Sequence, residues 1–300
     1  MNKKIQKKVE NIRDYLETRQ KLLGMEFDEK RHIHKNKKTG DIYGGSSTIS
    51  GKVDKPWLMP WALKEMYKYL KSNWKCSKKY SGDEKEKLLK EAKKASQRKA
   101  ILSAERGTII HHWLEHYCNT KEILTGEDIR KQYEDEELEI DDLKQLDEEE
   151  IPNVIEDHID ALSGFVSWFE YRDVHPIITE MIVADHEHKI AGILDLLAII
   201  KHKGNYKIAL IDHKTSNIVG KTALLQTAGY QMMLEKMGIN PKIRIILQYG
   251  DDDTRGRYDN PAFREIIVPD NYKFEKEVFL AQNKIRKYES YYKNKIKDKI

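Results

Sequence analysis

Two aspartates and one lysine stand in a segment that is otherwise rich in apolar, β-branched residues, Lys189 to Ser216. Asp195 lies inside the first apolar run, whereas Asp212 and Lys214 end the second. The pattern predicts an antiparallel hairpin with its turn near Lys203-Gly204. If the register is centred between those two turn residues, Asp195 faces Asp212 across the ladder. Lys214 then shares a face of the sheet with Asp212, because side chains alternate with period two.

This arrangement would bring two carboxylates and an ammonium group together. Like charges opposite one another on a sheet are unfavourable, so a cation is expected between Asp195 and Asp212. Carboxylate oxygens suit Mg2+ or Mn2+, and a nearby lysine suits a developing negative charge. Alternatively, Asp195 is a solvent-facing strand residue and Asp212 begins a polar strand end. Aspartate is disfavoured in strands and costly to bury unpaired, which favours the metal site.

The motif from Gly192 to Asp195, followed after one hairpin by Asp212-His213-Lys214-Thr215-Ser216, resembles the PD-(D/E)XK nuclease superfamily, in particular its RecB-like branch. Three further motifs of that branch occur in the expected order: Gly107-x-x-x-His111, Glu180, and Gln226-x-x-x-Tyr230. The family name includes a proline before the first aspartate, where this chain has Leu194. RecB-like members often carry Gly-x-x-Asp instead.

The resemblance implies a set of metal ligands. Asp195 and Asp212 would hold the metal together with the main-chain carbonyl of His213 and with His111. Glu180 would be a second ligand or would orient a water. The metal lowers the pKa of an attacking water and neutralises charge on the phosphate.

The resemblance also implies roles around the metal. Lys214 would position or deprotonate the water and stabilise charge. Gln226 and Tyr230 would orient the substrate through their hydrogen-bonding groups. Thr215 and Ser216, which follow the lysine directly, are further candidates for substrate binding.

The function implied is that of a metal-dependent deoxyribonuclease, an exonuclease acting on the ends of single- or double-stranded DNA in recombination, repair or phage DNA metabolism. It would use one or two Mg2+ or Mn2+ ions. Cys76 and Cys118 are too few to ligate an iron-sulfur cluster. A structure-specific or restriction-type endonuclease with the same site, and a catalytically inert nucleic-acid-binding protein, remain alternatives. The strand polarity, the oligomeric state and any recombinase or single-strand-annealing partner stay open.

One competing motif points to a different enzyme. His112, Glu115 and His116 spell His-x-x-Glu-His, the inverted zinc-peptidase motif. A zinc peptidase would need a third ligand downstream, and it would leave the aspartate hairpin without a role. The motif is therefore the weaker interpretation.

The predicted fold is α/β, a restriction-endonuclease-like mixed sheet flanked by helices, with a basic helical N-terminal lobe. We divide the chain into this lobe (1–100), a nuclease core (101–270) with an acidic insertion at about 126–152, and a C-terminal helix (271–300). Helices are predicted at 1–23, from about 60, at 83–107, 107–119, 153–171, 221–236 and 271–300, and strands at 177–184, 242–249 and 263–268 beside the hairpin. Residues 125–152 read as a solvated loop or a loosely held helix.

Charge is distributed unevenly along the chain. The 54 basic and 50 acidic residues leave a net charge of only +4, but lysine dominates up to Arg106, and residues 126–160 are strongly acidic. In the basic segment, aromatic residues are interspersed with lysines: Trp57, Trp61, Tyr67, Tyr69 and Trp74. This pattern suits either a lobe that guides DNA or the core of a helical lobe. The N-terminus lacks the apolar run of a signal peptide, and two distant cysteines give no disulfide framework. We therefore expect a soluble cytoplasmic protein without a membrane segment, in the host cytoplasm if the chain is phage-encoded.

Overall fold

A computed structural model describes residues 3–29, 31–134, 146, 148–216, 219–250 and 262–295. Its strands belong to one mixed sheet. They are β1 (Met25–Asp28), β2 (Ile33–Asn36), β3 (Ile42–Gly45), β4 (His175–Asp185), β5 (Ile190–His202), β6 (Asn205–Lys214), β7 (Ile243–Tyr249) and β8 (Phe263–Ile267). The predicted α/β class with a mixed sheet is confirmed.

Strand β5 is the centre of the sheet. Strand β4 pairs with one of its edges, and the other edge pairs with β6 along Leu196–His202 and with β3 at Ile190 and Ala191. The order along the main path is β1-β2-β3-β5-β6-β7-β8, with β6 and β7 parallel. The second edge of β5 is therefore shared by two strands that do not meet, and a gap separates them at residues 192–195.

Helices cover both faces of the sheet. They are α1 (Lys3–Leu23), α2 (Ser46–Ser50), α3 (Leu58–Asn73), α4 (Gly82–Thr120), α5 (Gly126–Glu134), α6 (Ile151–Asp157), α7 (Ile159–Tyr171), α8 (Lys221–Lys236) and α9 (Tyr272–Lys295). The second half of α4 packs with α6 and α7 on one face, where Phe165 and Tyr249 are fully buried. On the other face α1, α8 and α9 enclose Leu16, Met233 and Phe279. Each such side chain contributes about 1.5–3 kcal/mol by burial.

The predicted hairpin has the register that the sequence suggested. Leu196 pairs with Ile211 and His202 with Asn205. The two residues between the strands, Lys203 and Gly204, have φ values of 49° and 77°. A two-residue turn with both φ values positive matches the twist of the strands that it joins.

Two predicted helix boundaries are wrong. Helix α4 runs without a break from Gly82 to Thr120, so the lysine-rich helix and the histidine helix are one element. Gly107 does not end it, because the opposite side of the helix is already held by packing there and an isolated glycine costs only about 1 kcal/mol. The helix predicted at 153–171 is divided into α6 and α7 at His158, whose Nδ1 lies 2.8 Å from the Val154 oxygen.

The N-terminal segment is less separate from the core than its composition suggested. Helix α1 packs against β4, and β3 pairs with β5, so residues 3–50 extend the core sheet and its helical layer. No feature of the sequence pattern predicted strand β1. The division proposed at residue 100 falls inside α4, and α3 with the first half of α4 forms a two-helix arm.

Two charged segments fall partly or wholly outside the described residues. The acidic stretch begins with α5, a regular helix from Gly126 to Glu134 whose Ile129 is fully buried. The rest of it, up to residue 147, is described only at Leu146. The connection that contains Arg255 and Arg257 also lies outside the described residues. Within the described ranges, every helix is too short or too polar to cross a lipid bilayer.

Candidate metal centre

Asp195 lies in β5 at the point where regular pairing with β6 ends. Pairing with β6 stops at Leu196, one residue before Asp195 would meet Asp212, and the His213 N–H instead donates to Asp195 Oδ2 at 2.6 Å. The alternation of side chains also slips here, because Leu194 and Leu197 pack on one face and Leu196 on the other. The carboxylate therefore points into the gap between β6 and β3.

Glu180 interrupts β4 directly opposite Asp195. Its neighbours Thr179 and Met181 pair with Leu196 and Leu194, but Glu180 itself adopts a left-handed φ of 44°. This conformation is costly for a residue with a side chain, and such strain is stored mostly at functional sites. A local bend of both strands thus turns two carboxylates toward the same place.

His111 completes a group of three metal-binding side chains. Ligand atoms of His111, Glu180 and Asp195 all lie within 4.8 Å of one another. The His111 Nδ1 is 3.8 Å from Glu180 Oε1. Helix α4 thus brings an imidazole from one face of the sheet to two carboxylates on the neighbouring strands β4 and β5.

Asp212 and Lys214 form the second half of the site. Asp212 is completely buried, and Lys214 Nζ lies 2.5 Å from its Oδ2 as an ion pair. Neither oxygen of Asp212 accepts a well-oriented hydrogen bond from a described residue. Asp212 lies outside the group of three donors, although its charge is close enough to Asp195 to influence its titration. A buried carboxylate with unused lone pairs is the feature expected of a ligand for a cation.

Burial and mutual repulsion perturb the two aspartates in the same direction. Burial raises the pKa of Asp212 to about 6, with a further contribution from the charge of Asp195, while Lys214 opposes the shift. Burial also raises the pKa of Asp195, against the opposing charges of His111 and Lys214. Both carboxylates are thus poor places for negative charge until a cation is near.

At the two cationic side chains, the charges of nearby carboxylates outweigh the effect of burial on the pKa. Burial alone would lower the pKa of Lys214, but the charges of Asp212 and Asp195 outweigh it and raise that pKa. His111 behaves similarly, because Asp195 and Glu180 outweigh the effect of burial and raise its pKa. Lys214 therefore remains protonated at neutral pH, which suits charge stabilisation better than proton abstraction.

The ring and the main-chain carbonyl of His213 have different surroundings. Its ring is buried in the helical layer, 2.9 Å from the Tyr249 hydroxyl, and burial lowers its pKa well below the usual value. Its carbonyl oxygen, the group predicted as a ligand, accepts a hydrogen bond of 3.2 Å from Lys214 Nζ. The ring holds the strand in place, and the carbonyl faces the charged cluster.

Helix α8 brings Gln226 and Tyr230 to the site from the opposite face. The Gln226 amide donates to the Tyr230 hydroxyl at 2.9 Å, and burial raises the tyrosine pKa well above 10. The charges of Asp195 and Asp212 raise this pKa further. A Cβ at position 192 would stand 2.7 Å from Tyr230 Cε1, so Gly192 is required for this close approach.

Thr215 and Ser216 continue directly from Lys214. A Cβ on Gly107 would lie 3.1 Å from Thr215 Oγ1, so the glycine lets α4 approach the strand end. The Ser216 carbonyl accepts a hydrogen bond of 2.8 Å from Gln248, which in turn is bound by Arg264. Sequence reasoning missed Gln248. Its signal is a polar residue within the apolar run of β7.

The residues of the inverted zinc-peptidase motif serve separate contacts. His112 Nε2 lies 3.1 Å from Gln132 Oε1, Glu115 accepts from Thr179 at 3.1 Å, and His116 lies 3.6 Å from Glu122. Within the described ranges, these three do not form a group with ligand atoms inside 4.8 Å. Their contacts tie α4 to its neighbours.

The donor set fits a divalent cation. One imidazole and the carboxylate oxygens of Glu180 and Asp195 match the preferences of Mn2+ and Mg2+. Burial raises the pKa values of Asp195 and Asp212, and a bound cation would favour the charged form of both carboxylates. The residues present therefore fit a metal centre.

Comparison with known proteins identifies the family of this chain. A sequence profile of the PD-(D/E)XK nuclease superfamily matches residues 70–297. Among solved structures, the crystal structure of SSO0001 is 21% identical, with a TM-score of 0.26, over 52% of this chain and 69% of that chain, a likeness too low to carry an argument. No curated protein matches. The profile covers both halves of the site and most of the chain, and the protein therefore belongs to the PD-(D/E)XK nuclease superfamily.

Proposed function

We propose that this protein is a metal-dependent deoxyribonuclease that hydrolyses phosphodiester bonds from DNA ends, in recombination, repair or phage DNA metabolism. Membership of a nuclease superfamily supports hydrolysis of DNA. The observation that carries the proposal is the convergence of His111, Glu180 and Asp195 beside the buried pair of Asp212 and Lys214.

His111, Glu180 and Asp195 would hold the metal, with Asp212 and the carbonyl of His213 as further ligands for one or two Mg2+ or Mn2+ ions. When bound, the metal neutralises charge on the phosphate and makes the attacking water more acidic. The strain at Glu180 supports this assignment, because it orients the side chain toward Asp195 at the cost of regular pairing.

Lys214 would stabilise the negative charge that develops on the phosphate. Its ammonium group is held between Asp212 and the His213 carbonyl, and its raised pKa keeps it charged. A fixed positive charge in a poorly solvated site stabilises a transition state more than the same charge in water. We therefore favour charge stabilisation over proton abstraction for this residue.

Gln226 and Tyr230 would orient the scissile strand. Their mutual hydrogen bond fixes both side chains at the edge of the charged cluster. Thr215 and Ser216 follow Lys214 at the same strand end and would offer hydroxyl groups to the DNA backbone. Preference for DNA ends is supported by the RecB-like set of motifs, which all contribute to one site.

The test is degradation of end-labelled linear DNA with Mg2+ or Mn2+, with Asp212→Ala and Lys214→Ala as variants. We expect wild type to release nucleotides or short fragments from the ends only when metal is present. Both variants should bind DNA and leave it intact. The label that disappears first would identify the polarity.

Closed circular DNA provides the matched control. Cleavage of circles would show an endonuclease with the same site and overturn the preference for ends. If wild type and variants are equally inactive on every DNA form with either metal, the protein is a binding module and the nuclease proposal is wrong.

A further inference from the structure

Helix α3 and the first half of α4 form an antiparallel arm beside the core. Lys99 of α4 lies 3.5 Å from Glu65 of α3, and the guanidinium of Arg98 lies 5.3 Å from the Tyr69 ring. The short connection at residues 74–81 joins the far ends of the two helices. The inner face of α3 is thus occupied by α4.

An exposed apolar stripe follows the outer face of α3 and includes the residues that flank its two ends. It is defined here as Trp57, Met59, Leu63, Tyr67 and Trp74. Met59, Leu63 and Tyr67 are four residues apart, so they lie above one another on one side of the helix. Tyr67 is 64% exposed and Trp57 is 60% exposed. Large apolar side chains aligned in this way on an open surface mark an interaction site.

The charges beside the stripe indicate which class of partner it binds. Lys55, Lys64, Lys71 and Lys75 have no carboxylate within 4.0 Å among the described residues, whereas the acid of this helix, Glu65, is already paired with Lys68 and Lys99. A row of uncompensated ammonium groups favours a polyanion. In a twofold dimer built on this face, the same lysines would oppose one another.

The arm is continuous with the candidate metal centre. Helix α4 extends without interruption from the arm to His111. Because the two helices are antiparallel and Glu65 is level with Lys99, the start of α3 lies at the end of the arm nearest Gly107. The stripe therefore extends from the vicinity of the site toward the tip of the arm.

We propose that the stripe binds single-stranded DNA and leads it to the metal centre. This inference rests on the proposed nuclease function and names the form of DNA that it acts on. Exposed aromatic rings stack on bases only when the bases are unpaired, while lysines contact the phosphates of either form. Stacking thus selects single strands over duplex.

The test measures DNA affinity by fluorescence anisotropy in EDTA, so that cleavage plays no part. Labelled oligothymidylate is compared with a duplex of equal length. We expect Trp57→Ala and Tyr67→Ala each to weaken binding of the single strand at least about fivefold and to change duplex binding less than about twofold. Tyr171→Ala, at a tyrosine that is 79% exposed on α7, is the matched control and should bind like wild type.

A second experiment separates the lysines from the rings. The Lys64→Gln, Lys71→Gln double variant should reduce the dependence of log affinity on log salt by about 0.7 for each phosphate that the missing ammonium groups no longer neutralise. Lys236→Gln, on α8, is the control and should leave that slope unchanged. Tyr67→Ala should weaken binding without changing the slope, because stacking releases no counterions.

Several outcomes would overturn the inference. Equal affinity of wild type and the Trp57 and Tyr67 variants for single strands would remove the stripe from DNA binding. A wild-type dimer in light scattering that becomes monomeric in Tyr67→Ala would make the stripe a contact between protein copies. Binding through the stripe without cleavage under any metal would reject the nuclease function and the delivery of DNA to the metal centre, whereas the stripe would still be a site for single-stranded DNA.

Discussion

The β4–β5 hairpin carries two clusters of acids and histidine that have similar composition and different environments. At its turn, Asp185 is 2% exposed and accepts hydrogen bonds from the Glu187 and His188 N–H groups, and its Oδ2 lies 2.7 Å from His188 Nδ1. At its middle, the Asp195 group gathers His111 and Glu180 around a strained backbone, beside the buried ion pair of Asp212 and Lys214.

The difference lies in how completely the polar atoms are satisfied. The turn cluster uses its oxygens to hold its own backbone, and Glu187 is paired with Lys236 at 2.6 Å. Such a cluster stabilises a turn and needs nothing more. In the central cluster the carboxylates of Glu180 and Asp195 lie close enough to repel one another, and Asp195 is buried, so a further cation would stabilise the group. Residue types alone do not distinguish the two.

The largest expected effect is a difference in the rate of DNA hydrolysis between matched asparagine variants of the two clusters. Asp195→Asn keeps a carbonyl oxygen for the His213 N–H and removes the charge, so we expect DNA hydrolysis to fall at least about a hundredfold. Asp185→Asn should retain activity within about twofold, measured as the initial rate on linear DNA. A comparable loss in Asp185→Asn would mean that the turn cluster takes part in the reaction.

A smaller effect is expected from crowding Tyr230. Gly192→Ala places a methyl group 2.7 Å from Tyr230 Cε1 and 2.9 Å from Ser46 Cβ, so the ring must move. We expect about a tenfold loss of activity and about 1–3 kcal/mol lower free energy of unfolding. Gly220→Ala meets no atom within 4 Å and should retain the activity of wild type, although alanine is a poorer N-cap for α8 and lowers its stability slightly. Unchanged activity in Gly192→Ala would show that the position of this tyrosine does not matter.

Metal binding should stabilise only the central cluster. At a concentration about a hundred times the dissociation constant, Mn2+ would raise the free energy of unfolding by about 2.7 kcal/mol, which is several degrees in melting temperature. Differential scanning fluorimetry should show this shift in wild type and in Glu187→Ala, but a much smaller one in Asp195→Asn. A shift abolished by Glu187→Ala would assign the metal to the turn instead.

The smallest effect concerns a buried histidine that forms no ion pair with an acid in the described part of the chain. His34 on β2 is 5% exposed, and burial lowers its pKa to about 4, whereas Asp195 and Glu180 raise the pKa of His111. The unfolded chain therefore binds a proton at His34 more readily than the folded protein does. The stability that the neutral His34 contributes is present above pH 6.5 and is lost as the pH falls toward 4. We expect about 2 kcal/mol to be lost between pH 7 and pH 5.

The measurement is urea unfolding at several pH values. His34→Gln should show a flatter dependence of the free energy of unfolding on pH than wild type, because it has no titrating group at this position. Parallel curves for the two proteins would show that His34 does not bind a proton preferentially in the unfolded state.

The sequence predicted most elements of the core because their signals are local. Two apolar runs on either side of Lys203-Gly204 predicted the hairpin, and a turn centred on those two residues predicted its register. The helix predicted from Lys221 to Lys236 has the same bounds in the structure. The sequence also identified the residues that converge, by resemblance to a family and by their order along the chain. Their roles in catalysis stay predictions until the variants are measured.

Tertiary structure decided how those residues meet. The left-handed backbone at Glu180, the separation of β6 from β5 beside Asp195, and the approach of α4 and α8 from opposite faces all depend on contacts between distant segments. The continuity of α4 also depends on packing, which outweighs the local preference of Gly107. Local patterns reflect propensity and alternation, whereas burial of unsatisfied charge is a property of the assembled core, and this property distinguishes Asp195 from Asp185.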